Sequence, residues 1–185
     1  MERNPMSLKE HFELLANYNK WMNVKIYDAS ATLSAPELIC DRGAFFKSIL
    51  GTLNHIAVGD TIWLQRFAEH PSCKLTLKSI TEIPKPTNLD SLLFSDLAQL
   101  YEFRRWLDDL FATWVSSLKE QDLYYTLNYK NMKGTPSCRQ YSSLMLHFFN
   151  HQTHHRGQVT TLLAQAGQDV GVTDLLALIP DNHHA

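Results

Sequence analysis

Only three cysteines occur in the 185 residues: Cys40, Cys73 and Cys138. They lie far apart and make no C-x-x-C pair, which excludes a disulfide framework and a thiolate zinc site. Positive charge is also scarce. Lys and Arg total 17 against 19 Asp and Glu, a formal net charge of −2. Without a basic excess to neutralise phosphates, nucleic acid is not expected as a partner. No polybasic stretch addresses an anionic membrane. No apolar run approaches the roughly 20 residues that span a bilayer. The segment Met1-Glu2-Arg3-Asn4-Pro5 lacks the apolar core of a secretory signal. These absences lead to the expectation of a cytoplasmic protein with no membrane partner. Internal repeats and low-complexity tracts are missing too, and the length suits one domain over 1–185.

What is there points to a packed helical globule. Apolar residues make up 44% and aromatics 11%, enough for a sizeable core. Apolar positions at helical intervals predict four long helices. The first spans about 8–33, opened by the capping box Ser7 and Glu10. The second spans about 46–69 and stops at Pro71; its Gly51 and Gly59 allow a neighbour to approach closely. The third spans about 90–119, after a long proline-bearing connection. The fourth starts near Cys138 or Gln140 and ends near Ala166, with Gly167 past its end. Before it, Tyr125–Tyr129 alternates and Met132–Pro136 has turn chemistry, which reads as a short hairpin or extended loop. A short fifth helix is expected from about Thr173 to before Pro180. The fold class is all-α: four long amphipathic helices bundled in one domain.

Histidine is the unusual count, at nine. Four of them, His147, His151, His154 and His155, lie within one stretch of the fourth helix. Residues four apart on a helix differ by about 40° around the axis, so His151 and His155 can clip one ion from one face. His147 and His154 share an arc of roughly 100° with them, so spacing leaves open which pair binds. Leu144, Phe148, Val159 and Leu162 flank that arc, which places it toward the core. Several core-facing histidines are costly unless ligated or hydrogen-bonded. His55, in the second helix, is the candidate third ligand from a facing helix. Three neutral imidazoles without a thiolate leave a position open for water or substrate, the pattern of a catalytic site. Imidazole suits zinc, nickel, iron or copper. Gln158, Asn54, Thr52 and Asp60 are candidates to orient the ligand rings. Asp60 is about 140° around the helix from His55, which argues against direct ligation. His11, His70, His183 and His184 read as solvated. Trp21, Trp63 and Trp114 read as core, Gly157 as a close-packing position, and Arg156 as a salt-bridging or interface residue turned away from the histidines. Asn19 and Asn23 read equally well as buried polar groups or as the lining of the site's mouth.

Three segments carry a resemblance to a known family: Tyr18-Asn19-Lys20-Trp21-Met22-Asn23; Ser48-Ile49-Leu50-Gly51-Thr52-Leu53-Asn54-His55-Ile56 with Asp60 and Trp63; and Asn150-His151-Gln152-Thr153-His154-His155-Arg156-Gly157-Gln158. Over about residues 8–179 the chain resembles the DinB/YfiT family of metal-dependent helical-bundle proteins. The resemblance implies an up-down-down-up four-helix bundle, often dimeric, so a homodimer is expected. It maps the family's metal triad onto His55, His151 and His155, and makes His147 and His154 neighbours. The implied ion is divalent, nickel or zinc first, with iron or manganese as alternatives. Relatives include thiol transferases, so a small molecule or thiol is the expected substrate. The function expected from all this is a metal-dependent hydrolase or thiol-dependent transferase. The alternative is a non-catalytic metal-binding or stress-response protein in which the ion is structural, since fold and metal do not fix substrate.

Overall fold

The computed structural model describes residues 5–181. The chain is mostly helical. In order it forms α1 (Leu8–Ser30), α2 (Ala35–Ile39), α3 (Ile49–Phe67), α4 (Lys78–Thr81), α5 (Leu97–Ser117), β1 (Thr126–Lys130), β2 (Pro136–Gln140) and α6 (Tyr141–Gln165). Two 3-10 turns, Glu120–Tyr124 and Leu175–Leu178, complete it. The second of these stands where a fifth α-helix was expected. The strands make one antiparallel hairpin, with Thr126 opposite Gln140 and Lys130 opposite Pro136. Its turn uses Gly134 at φ 78°. β2 runs directly into α6.

Local chemistry sets the helix starts. Ser7 accepts from Glu10 N–H, and Glu10 returns the bond, as the capping box requires. Ser48 accepts from Gly51 N–H at 3.0 Å, so α3 starts at Ile49 rather than at Phe46. Asp96 accepts from Gln99 N–H at 2.9 Å, so α5 starts at Leu97 rather than near Asp90. Leu93 and Phe94 still pack on the core, but from an irregular strap. Gly167, at φ 76°, takes the left-handed position just past α6.

The long helices bury one continuous core. α1 packs against α5 and α6, and α3 packs against α6 and α5. Trp114, Phe67, Phe111, Tyr141 and Phe148 are almost completely buried. Trp21 and Trp63 are only partly buried and pack at the core's margin. The hairpin and the irregular strap over 82–96 lie beside α3, and that strap reaches the start of the helix, where the histidines gather. Among the described residues, no helix is long and apolar enough to cross a membrane.

Candidate metal centre

His55 from α3 and His151 and His155 from α6 converge. One nitrogen from each lies within 4.8 Å of the others. His55 and His155 are buried and His151 is half-buried. Their neighbours fix two of the three tautomers. His55 Nδ1–H donates to the Leu89 carbonyl at 2.7 Å. His155 Nδ1–H donates to Gln158 Oε1 at 2.8 Å. With both Nδ1 atoms carrying protons, both Nε2 atoms present lone pairs. Those Nε2 atoms face each other at 3.1 Å. Two lone pairs at that distance repel unless a cation or a proton stands between them. Burial makes the proton a poor choice: it pushes His55 down to about 4 and His151 to about 3, and lowers His155 as well. The donor set therefore fits a metal ion, bound by neutral imidazoles.

The packing around the rings is close. Phe46 stacks on His55 with centroids 3.7 Å apart and planes 16° apart. The loop that carries Phe46 is held by Arg42 N–H to Lys47 O and Lys47 N–H to Ala44 O, each 2.8 Å. Gly51 lets this loop in, since a Cβ there would stand 2.2 Å from Phe46 O. Gly59 does the same for His151: a Cβ there would stand 2.9 Å from His151 Cε1.

Behind the triad lies a buried charged network. Asp60 pairs with Arg104 and accepts from Gln152, the residue next to His151. Arg104 also pairs with Asp108 at 3.0 Å. Asp108 accepts from Asn23 at 2.9 Å and from Asn19 at 3.3 Å. Arg156 donates to Asn19 and to Gln152 Oε1, the latter at 3.3 Å. Two carboxylates and two guanidiniums, all buried, thus balance across α1, α3, α5 and α6. Burial lifts Asp60 to about 6. Burial also opposes the charge on Arg104, but Asp108 and Asp60 outweigh it and hold the guanidinium protonated.

The family-wide profile for the DinB family matches residues 6–182. The chain belongs to the DinB family. It is also 27% identical over 165 residues to Protein DinB of Bacillus subtilis (strain 168), covering 86% of this chain and 88% of that protein. No solved structure matches it.

The expected roles of this DinB chain's residues are met at some positions and not at others. Gln158 orients His155, as expected of it. Asn54 does not orient a ligand: it bonds Leu50 O and bridges to Phe94, pinning the strap to α3. Thr52 bonds Ser48 O within its own helix. Asp60 is consumed by Arg104 and Gln152. Arg156 is no surface salt bridge. It is buried because its guanidinium satisfies Asn19, Gln152 and Thr153 in the core. Asn19 and Asn23 are buried polar groups serving that network. Gly157 has open space where its Cβ would be, so it permits no close contact. His70 is buried, not solvated, with Nδ1 accepting from Ser72 N–H at 3.1 Å and Nε2–H donating to Asp122 O at 3.2 Å. His147 and His154 are exposed and stand outside the three-histidine group. His183 and His184 lie outside the described residues. Arg104 and Asp108 were missed entirely. Their only sequence signal is an Arg and an Asp four apart on the apolar stripe of α5.

Proposed function

We propose that this DinB-family chain holds one divalent metal ion through His55, His151 and His155, and that it uses the ion in a thiol-dependent transfer on a small molecule. The single observation that carries the metal reading is the pair of facing Nε2 lone pairs, each fixed by a proton on the other ring nitrogen. Nickel or zinc is the proposed ion: all-imidazole donors suit both, as they do iron and copper, and the family resemblance puts these two first. The bundle is proposed as up-down-down-up. Three sets of contacts support that order. Phe12 lies against Phe149 and Asn19 against Arg156, so α1 and α6 run the same way. His55 lies against His155 and Phe67 against Tyr141, so α3 opposes α6. Lys20 meets Asp109 and Tyr27 meets Tyr101, so α5 opposes α1.

A bound divalent ion supplies Lewis acidity, which polarises an oxygen or sulfur group and favours its deprotonated form. The protein's own residues do the rest. Leu89 O and Gln158 hold two imidazoles in the ligand tautomer. Phe46 covers one face of His55 and keeps water from it. Asp60 cannot accept a proton from substrate, because Arg104 and Gln152 occupy its oxygens. The ligand group contains no carboxylate either. A thiol, with an ordinary pKa of about 8.5, needs less help from a base than water does, which favours transfer over hydrolysis. His154 is exposed, with its ring centre 4.8 Å from that of His155, and leads from the site toward solvent. The triad also joins α3 to α6, and this cross-link supports the second reading, an ion that only stabilises the fold.

Elemental analysis of untagged protein tests the metal. The expected result is about one equivalent of nickel or zinc per chain, lost in His151→Ala and His155→Ala. Equal metal content in wild type and both variants overturns it. Thiol-transfer assays on loaded and stripped protein then separate the two readings. Activity that follows metal content supports the enzyme, whereas a chelator-sensitive melting point with no activity supports the structural ion.

A further inference from the structure

A groove of about 790 Å³ lies away from the triad, between α3, the strap after α4 and the hairpin. Ile62, Ile83 and Pro136 give it an apolar wall, and Arg66, Lys85 and Lys130 line it with three cations. Glu69 is the one acid in the lining. The groove is thus cationic in a chain whose net charge is −2.

Arg66 is the unusual group. Its guanidinium lies over Trp63 at 4.6 Å and over Tyr129 at 5.2 Å. These two rings fix its plane. Its Nε is buried with no hydrogen-bond partner, and none of the ion pairs among the described residues includes it. Burial accordingly presses on its charge. A half-buried guanidinium without an anion is an incomplete arrangement. An aromatic clamp accounts for the plane of Arg66, but neither for its missing anion nor for two lysines brought to the same hollow from the strap and the hairpin.

We propose that this groove binds a small amphipathic organic anion. Its carboxylate, sulfonate or phosphate meets the Arg66 guanidinium, with Lys85 and Lys130 adding charge. Its apolar part lies on Ile62, Ile83 and Pro136. The site needs no metal, so its fate is separate from that of the triad.

The test is a fluorescence titration of the full chain with 8-anilinonaphthalene-1-sulfonate. Saturable binding is expected, weakened about tenfold or more in Arg66→Gln, the scale of one lost charged hydrogen bond. The uncharged analogue N-phenyl-1-naphthylamine should bind wild type and variant alike. Lys85 and Lys130 are exposed, so the double variant Lys85→Gln/Lys130→Gln threatens folding little and should show a smaller loss. Cys138 lines the groove and Cys40 does not, and both thiols are exposed. Bound sulfonate should therefore slow iodoacetamide alkylation at Cys138 and leave Cys40 unchanged. Undiminished sulfonate affinity in both variants overturns the proposal. So does an equal loss for the uncharged probe, or equal protection of the two cysteines.

Discussion

α3 and α6 face each other along their length, yet the two halves of that interface are built from different chemistry. At one end, His55, Asp60, Gln152, His155 and Arg156 meet as imidazoles, amides and charges. At the other, Phe67 stacks on Trp114 at 5.0 Å and meets Tyr141 and Phe148 edge-on at 5.2 and 5.8 Å. The aromatic half stabilises through area removed from water and ring geometry. The polar half carries the desolvation cost of four charges and recovers it only if every partner stays in place. Well-packed apolar residues of similar volume often serve at least as well in such positions. The place of the polar half beside the three histidines suits a role in holding Gln152, and with it the register of His151 and His155, against Asp60.

Three substitutions break or sharpen this contrast. The largest effect is expected from Arg104→Met, which strands Asp60 and Asp108 without their counter-charge. A loss of about 3–5 kcal/mol in denaturant unfolding is expected, and adding Asp108→Asn should restore part of it. An unchanged midpoint would show that the network is dispensable. At the aromatic end, Tyr141→Phe removes the oxygen that accepts from Trp114 Nε1 at 3.0 Å and faces Cys73 Sγ at 3.2 Å. The orphaned indole N–H should cost about 1–3 kcal/mol, with metal content unaltered. Loss of metal in Tyr141→Phe would mean the two halves are not separable. The smallest effect on stability is expected from Gly59→Ala. Alanine gains up to about 1 kcal/mol in a helix interior, but its Cβ displaces the end of the His151 ring. Thermal melting should hold or rise, while metal affinity by competition with a chelator falls about tenfold or more. Unchanged affinity would show that the ring yields without consequence.

Legibility followed the range of the interactions. Helices, caps and hairpin rest on contacts a few residues apart, so periodicity and Ser7 or Gly167 reveal them. The 151/155 clip is equally local. His55 as the candidate third ligand came from its setting in the second helix and from the family resemblance, because no local rule links residues a hundred positions apart. The start of α5 was placed too early because Leu93 continues the apolar pattern of the helix, while the cap at Asp96 decides where hydrogen bonding begins. His70 was expected in solvent because it lies near a helix end, and Arg156 was expected in a salt bridge or an interface. Each is buried because a distant partner satisfies it, Asp122 for one and Asn19 for the other. Arg66 offered a hint in its spacing of three from Trp63, but Tyr129 and the lysines meet it only across the fold.

The amino-acid order alone determined the long amphipathic helices, their capped ends, the absence of disulfides and the paired imidazoles on α6. Those features depend on backbone geometry and near neighbours, which repeat wherever the pattern repeats. The tertiary structure decided which polar groups survive burial. It set His55 Nε2 against His155 Nε2, balanced Asp60 and Asp108 with Arg104 and Arg156, and left Arg66 without an ion-pair partner among the described residues. Such pairings depend on how helices distant in sequence are brought together, and burial raises the cost of each one left incomplete.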